Sequence, residues 1–184
     1  MPEEIDRILK IIIAGPTKAG KTCLVQRFVD DIFLPDTAKT IGVDFSLKHV
    51  NLAGPESGLE EHIDLQIWDM AGEDRFRTLL PYYIAGTQGI LLVFDITNPE
   101  SFGALAGWFE VLKTYTPGNI PLILLSAKND LEPRVAVETI QAFLEQHGIA
   151  GYFETSAKTG GNVNGAFLQL TEMIIENIKK GKND

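Results

Sequence analysis

One short stretch near the start of the sequence carries the clearest chemical pattern. Gly15, Gly20, Lys21 and Thr22 fit the spacing G-x-x-x-x-G-K-[ST], directly after the apolar run 8–14. Glycines at both ends allow backbone N–H groups to surround an anion where a helix begins, and the helix dipole favours negative charge there. A lysine and a hydroxyl at these positions suit terminal phosphates and Mg²⁺, respectively. The pattern predicts a phosphate-binding loop, whose predicted contacts also include Thr17, Lys18, Ala19 and Cys23.

Alternating apolar and amphipathic segments predict the elements that position this loop. Strands are expected at 8–14, 43–52, 62–68, 89–95, 120–126 and 152–154, and helices at 20–30, 101–115, 135–147 and 162–179. The second and third strands form a hairpin around the acidic segment 54–61, which is expected to be a solvated tip. The later runs are apolar throughout, as in parallel strands that are covered on both faces. The fold prediction is therefore α/β, with a mostly parallel six-stranded sheet, one antiparallel hairpin strand and helices on both faces.

Four polar segments each follow a predicted strand. They are the glycine-rich loop, the segment 69–72, the segment 128–130 and the segment 156–158. Because the carboxyl ends of parallel strands meet at one edge of a sheet, these segments are expected to converge on one ligand.

Length, charge and cysteine content limit the classes of protein. A chain of 184 residues that is 45% hydrophobic predicts one domain, spanning residues 1–184. The net charge of -9 disfavours nucleic acid as a partner. A single cysteine and an acidic start, without a signal-like segment, favour the cytoplasm. No apolar run is long enough for a bilayer, and the last residues offer no cysteine for prenylation, so no lipid anchor is expected.

Separated motifs, in a consistent order, resemble those of Ras-like small GTPases, and of the Rab branch in particular, over residues 8–178. They are Gly15 to Thr22, Thr40-Ile41-Gly42-Val43-Asp44-Phe45, Trp68-Asp69-Met70-Ala71-Gly72, Arg75-Phe76-Arg77-Thr78, Lys128-Asn129-Asp130-Leu131 and Glu154-Thr155-Ser156-Ala157-Lys158. The resemblance implies a single P-loop GTPase domain that binds GTP or GDP with Mg²⁺ and acts as a molecular switch.

The resemblance also implies roles for residues at the phosphate end. Thr22, Thr40 and Asp69 would hold Mg²⁺, a cation that prefers oxygen ligands. Lys21, Thr40, Gly72 and Glu73 would be the catalytic set, with the Gly72 N–H directed to the γ-phosphate. An isolated threonine or aspartate in a turn would be unremarkable without the neighbouring motifs.

At the base end, the resemblance assigns guanine selection to Asp130, whose carboxylate would accept from two guanine N–H groups that adenine does not present. Lys128 would pack along the base, and Ala157 would donate its backbone N–H to the guanine carbonyl. Phe33 matches an aromatic residue that stacks against the base, although a phenylalanine is more often part of a core. Ser156 and Lys158 complete the predicted base site.

Phe45, Trp68 and Tyr83 occupy positions where Rab-like proteins display apolar residues to effectors. The resemblance thus implies effectors, exchange factors and GTPase-activating proteins as partners of a monomer. Ordinary core aromatics are an equally good interpretation, because a sequence does not report exposure.

Two departures from the family pattern leave the activity open. Glu73 stands where a glutamine usually orients the attacking water, which predicts slow GTP hydrolysis, or a hydrolysis-deficient, nucleotide-bound interaction module. Ala127 stands where the guanine motif usually begins with asparagine, which predicts weaker nucleotide affinity. The side chain of Lys18 is expected to point into solvent. A P-loop kinase is disfavoured because no arginine-rich lid is present.

Overall fold

A six-stranded mixed sheet forms the centre of the molecule. The computed structural model describes residues 5–35, 40–53, 60–73, 79–116 and 118–181. The strands are β1 Ile5–Ala14, β2 Val43–Ala53, β3 Glu60–Met70, β4 Gly89–Asp95, β5 Leu122–Ala127 and β6 Gly151–Glu154. Their order is β2-β3-β1-β4-β5-β6, with β2 antiparallel to β3 and every other pair parallel. The predicted α/β class and sheet are confirmed.

Helices cover both faces of this sheet. They are α1 Lys21–Asp30, α2 Leu80–Ile84, α3 Pro99–Gly103, α4 Leu105–Tyr115, α5 Val137–His147 and α6 Val163–Lys180. Ile11 and Ile13 of β1 pack with α1 and α6, whereas Ile12 and Ala14 pack with the other helices. Side chains of a strand alternate between faces, so an apolar strand such as β1 supplies both cores. Within the described ranges, no helix has the length and apolar character needed to cross a membrane.

Several element boundaries differ from the predicted ones for local reasons. The predicted helix 101–115 is two helices that meet at Ala104, whose dihedral angles remain helical. β5 begins after Pro121, a residue that has no N–H to donate to a neighbouring strand. α2 was not predicted, because five residues are too few to show helical periodicity.

The acidic segment of the hairpin corrects one prediction. Glu61 was expected in a solvated tip, but it lies in β3 and is only 4% exposed. Arg7 and Lys179 contact its two carboxylate oxygens at 3.1 and 2.9 Å, which compensates its burial. The predictions for residues 54–59, for the motif 75–78 and for both chain ends lie outside the described residues.

Candidate functional site

The glycine-rich loop joins β1 to α1 at the carboxyl edge of the sheet. Gly15 has a φ of 141°, and a Cβ atom there would lie 2.1 Å from the Val93 carbonyl oxygen of β4. Gly20, with a φ of 100°, is the N-cap of α1. Both positions therefore require glycine, the first because the loop passes against a neighbouring backbone.

Lys21 lies beneath this loop and is 6% exposed. Its Nζ atom donates hydrogen bonds of 2.8 Å to the carbonyl oxygens of Gly15 and Pro16. Burial lowers the pKa of the ammonium group to about 8, against an opposing attraction from Asp69. An ammonium group has three N–H donors, so one remains for an anion in the loop.

Three oxygen-bearing side chains meet beside Lys21. Thr22 Oγ1 donates to Asp69 Oδ2 at 2.5 Å and lies 2.9 Å from Thr40 Oγ1. Asp69 is 3% exposed, and its Oδ1 atom has no hydrogen-bond partner among the described residues. Burial raises the pKa of Asp69 to about 6, although the hydrogen bond from Thr22 and the charge of Lys21 oppose the shift.

This donor set fits Mg²⁺. Two hydroxyl oxygens and a carboxylate with one unsatisfied buried oxygen provide the hard ligands that this cation accepts. The described part of the chain contains no group of three or more His, Cys, Asp and Glu side chains that could hold a metal.

A cavity of about 310 Å³ opens above these residues. A Cβ atom on Gly72 would lie 2.3 Å from the Thr17 backbone nitrogen, so the end of β3 is in direct contact with the loop. The cavity is lined by Thr17, Lys18, Gly20, Lys21, Thr22, Cys23, Pro35, Thr40, Met70, Gly72, Glu73 and Lys128. The fold thus brings together the predicted phosphate, metal and catalytic residues.

The predicted base residues form an adjoining region, which Lys128 connects to the cavity. Lys128 Nζ donates to the Lys18 carbonyl oxygen at 3.0 Å and to Asp95 Oδ2 at 2.5 Å. Ser156 Oγ donates to Asp130 Oδ1 at 2.7 Å, and Lys158 Nζ lies 3.9 Å from Asp130 Oδ2. The loops after β5 and β6 are therefore joined through the carboxylate of Asp130.

Arg27 is a site-supporting residue that the sequence analysis missed. Its guanidinium group donates to the carbonyl oxygens of Ala157 at 2.7 Å and Lys158 at 3.1 Å, and it also pairs with Asp31. Asp95, the partner of Lys128, was missed as well. Neither residue belongs to a motif, and the sequence separation of 130 between Arg27 and Ala157 gives no local signal.

The remaining predicted contacts lie at the side of the loop. Phe33 is half-buried and packs against the core that α1 covers. Cys23 is half-buried, with its Sγ atom 3.8 Å from the Leu34 carbonyl oxygen. Cys23 thus lies in α1 and Phe33 shortly after it, and the predicted contacts of Cys23 with phosphate and of Phe33 with the base stay predictions.

Phe45, Trp68 and Tyr83 form a continuous aromatic row. The ring centroids of Phe45 and Trp68 are 5.6 Å apart, and those of Trp68 and Tyr83 are 5.9 Å apart. Phe45 is 50% exposed, while the other two rings are half-buried. Lys10 Nζ lies 4.3 Å from the Trp68 ring centroid. The row is therefore a partly exposed surface of the sheet rather than a closed core.

Comparison with known proteins identifies the class of protein. The model of the Ras family matches residues 10–176. The chain is 36% identical to GTP-binding protein ypt4 of Schizosaccharomyces pombe, with 99% of this chain and 78% of the relative covered. It is 39% identical to GTP-binding protein YPTM2 of Zea mays, with coverage of 95% and 83%. It is 38% identical to Ras-related protein Rab-4B of Homo sapiens, with coverage of 100% and 84%.

The chain belongs to the Ras family and is a small GTP-binding protein. Within that family, its relatives place it in the Rab branch. Members of these families use GTP or GDP with Mg²⁺, which agrees with the donor set around Asp69.

Proposed function

We propose that this protein is a GTP/GDP switch that hydrolyses GTP slowly. The observation that supports it best is a cavity lined by Lys21, Thr22 and Glu73, where Thr22 also donates to the buried Asp69. The ammonium, hydroxyl and carboxylate groups are suited to bind a polyphosphate and its cation. Glu73 corresponds to the residue that would contact the attacking water beside them. Release of the γ-phosphate would free the segments around Thr40 and Gly72.

The phosphate end would act through charge and position. Lys21 and the loop N–H groups bind the phosphate oxygens, and Gly72 directs its N–H to the γ-phosphate. Thr22, Thr40 and Asp69 hold Mg²⁺, which neutralises phosphate charge when bound. Little covalent work is left to the protein in phosphoryl transfer.

Glu73 is the reason to expect a slow reaction. A glutamate can accept a hydrogen bond from water, but it has no N–H donor and places negative charge near the phosphate. At about 4 Å and an effective dielectric constant of roughly 20, that repulsion is on the order of 4 kcal/mol. The carboxylate therefore raises the barrier that the ammonium of Lys21 lowers.

Base selection would depend on Asp130, with Lys128 along the base and the Ala157 N–H on its carbonyl oxygen. Ser156 and Lys158 support this set through their contacts with Asp130. Ala127 has no polar group to bond the base or the phosphate-binding loop, so we expect weaker nucleotide binding than an asparagine would give.

The aromatic row is the proposed surface for effectors and regulators. Its half-exposed rings adjoin the segments around Thr40 and Gly72, so a partner there would sense the bound nucleotide. A single domain and a cytoplasmic location stay predictions from the sequence, and the monomeric state stays a prediction from the resemblance.

Single-turnover hydrolysis tests the role of Glu73. We expect Glu73→Gln to raise the rate of phosphate release from bound GTP about tenfold or more, because relief of about 1.4 kcal/mol already gives a factor of ten. Glu110→Gln, at an exposed position on α4, is the matched control and should leave the rate unchanged. An equal or lower rate for Glu73→Gln would refute the proposed role.

A hydrolysis-deficient interaction module is the second candidate, and the same Glu73 favours it. Wild-type protein that retains GTP with Mg²⁺ and releases no phosphate over hours would support this candidate. Measurable release by the wild type would instead support the slow switch.

A further inference from the structure

Asn129 joins the two loops that carry the proposed base site. Its side-chain Nδ2 atom donates to the Ser126 carbonyl oxygen and to Ser126 Oγ, both at 2.8 Å, and it lies 3.4 Å from the Thr155 carbonyl oxygen. Its backbone N–H donates to the same Thr155 oxygen at 3.0 Å. One residue thus contacts the end of β5 and the first residue after β6.

These contacts extend the pairing of the two strands beyond the sheet. The last paired residues of β5 and β6 are Ser126 and Glu154. The Thr155 N–H and hydroxyl then donate to the Ser126 carbonyl oxygen at 2.7 and 2.8 Å. Ser126 and Thr155 are fully buried, so these polar groups have little access to water. Loss of the Asn129 carboxamide would remove one buried hydrogen bond each from the Ser126 carbonyl oxygen and from Ser126 Oγ, whose remaining partners are Thr155 and Tyr152, respectively.

The residues that follow this link are the ones that meet across the gap. Asp130 comes directly after Asn129, and Ser156 comes directly after Thr155. The Ser156 hydroxyl donates to Asp130 at 2.7 Å. The separation between the two loops, which Asn129 fixes one residue earlier, therefore fixes the position of the Asp130 carboxylate.

The Thr155 hydroxyl donates to the Ser126 carbonyl oxygen and so makes a similar link, but three other nearby side chains do not. Ala127 ends in a methyl group, and Lys128 Nζ is bound to Lys18 and Asp95, on the side of the phosphate-binding loop. Arg27 reaches the loop after β6 from α1 and does not contact the loop after β5 in any described hydrogen bond. The carboxamide of Asn129 thus adds a contact between the two base loops that the methyl group of Ala127 cannot make.

We infer that Asn129 is a positioning residue for base selection, which holds Asp130 at the distance that guanine requires. This inference rests on the proposed function, because it takes Asp130 to be the group that binds the base. Asn129 itself has no proposed contact with nucleotide.

Binding measurements on the full chain test the inference. Affinities for GDP and inosine diphosphate, which lacks the 2-amino group, would be measured with Mg²⁺ for wild type, Asn129→Ala and Asn129→Asp. We expect Asn129→Ala to lose roughly tenfold in GDP affinity, and the ratio of GDP to inosine diphosphate affinity to fall. Asn129→Asp should lose more, because its carboxylate would face two carbonyl oxygens.

Asn177→Ala is the matched control. Asn177 also donates its amide to a backbone carbonyl, that of Asn119 at 3.2 Å, but it does so on α6, outside the base loops. We expect this variant to retain the wild-type affinities and their ratio. Ser126→Ala removes one acceptor of Asn129 and, if the Asn129 variants do not fold, should still lower the ratio by about threefold.

Three outcomes would overturn the inference. Equal losses for both nucleotides in Asn129→Ala would indicate a general loss of structure, and unchanged affinities would show that the link is dispensable. Both results leave the proposed function standing, provided that the wild type binds GDP. Wild-type protein that binds no GDP would overturn the proposed function and the inference together.

Discussion

β3 carries one buried carboxylate at each end, and the pKa values of these two groups shift in opposite directions. Glu61, at the start of the strand, contacts Arg7 and Lys179, and these cations lower its pKa despite the cost of burial. Asp69, at the other end, receives hydrogen bonds from hydroxyl groups, and its pKa is raised to about 6. The two shifts are opposite because desolvation dominates at Asp69, whereas the ion pairs with Arg7 and Lys179 outweigh it at Glu61.

The difference separates a carboxylate that is paired within the fold from one that is a candidate ligand-binding group. The protein satisfies Glu61 completely, so that residue stabilises the fold without help from a ligand. It leaves Asp69 with one buried oxygen that has no partner among the described residues. The unsatisfied buried oxygen costs free energy in the protein without a ligand.

The pH dependence of stability gives the largest expected effect. The folded protein holds a proton on Asp69 up to about pH 6, against a usual pKa of 3.8, so folding is favoured at low pH and loses this contribution as pH rises from about 4 to 6. The loss is on the order of 3 kcal/mol. Urea unfolding of the nucleotide-free wild type and of Asp69→Asn across this pH range measures the loss. We expect it as a pH-dependent difference between the free energies of unfolding of the two proteins.

Glu61 acts in the opposite direction. Its lowered pKa stabilises the fold above its usual pKa of 4.5, and this stabilisation disappears as pH falls through the lower value of the folded state. Subtracting the Asp69→Asn curve removes this contribution, since Glu61 is present in both proteins. A difference that does not change with pH would contradict the assignment for Asp69.

Cation binding gives the next effect. Asp69→Asn keeps a hydrogen-bond acceptor for Thr22 but loses the charge, so we expect about 10- to 100-fold weaker Mg²⁺ binding in the presence of GDP. Titration of the GDP dissociation rate with Mg²⁺ measures it. Asp64→Asn is the control on the same strand, where a partly exposed aspartate pairs with His49. Equal effects of the two variants would remove the distinction between Asp69 and an ordinary strand aspartate.

Loss of the structural charge gives the smallest effect. Glu61→Gln should lower the free energy of unfolding by about 1–2 kcal/mol at pH 7, less than for a fully buried ion pair because Lys179 is partly exposed. Nucleotide affinity should stay unchanged, which calorimetry with GDP checks. A loss of affinity without a loss of stability would reverse the roles assigned to the two ends of β3.

The sequence predicted the elements whose signal is local. Apolar runs identified the central strands, and the glycine-rich pattern identified the loop around Lys21, because each depends on residues close in the chain. The burial of Glu61 was not predictable, since its partners Arg7 and Lys179 are 54 and 118 residues away. The sequence around a charged residue beside a turn does not indicate such distant partners, so Glu61 was expected to be exposed to solvent.

The residues of the candidate site also divide into those with a local sequence signal and those without one. Motifs identified Asp69 and Asp130, whose positions after strands are local features. Arg27 was missed, and Asn129 was given no role although it lies in the motif 128–131, because the contacts of both residues reach segments distant in the chain and neither residue type predicts them. The exposure of Phe45 also required the structure, because it depends on which helix covers that part of the sheet.

The strand order places the two parts of the proposed site toward opposite edges of the sheet. β5 and β6, which precede the loops of Asp130 and Ser156, lie at one edge of the sheet, and β2 and β3, next to Thr40 and Gly72, lie at the other. The residues at the first edge would make the same contacts with a nucleoside diphosphate and with the triphosphate of the same nucleoside. The additional phosphate of the triphosphate would change contacts only at the second edge, where the aromatic row lies.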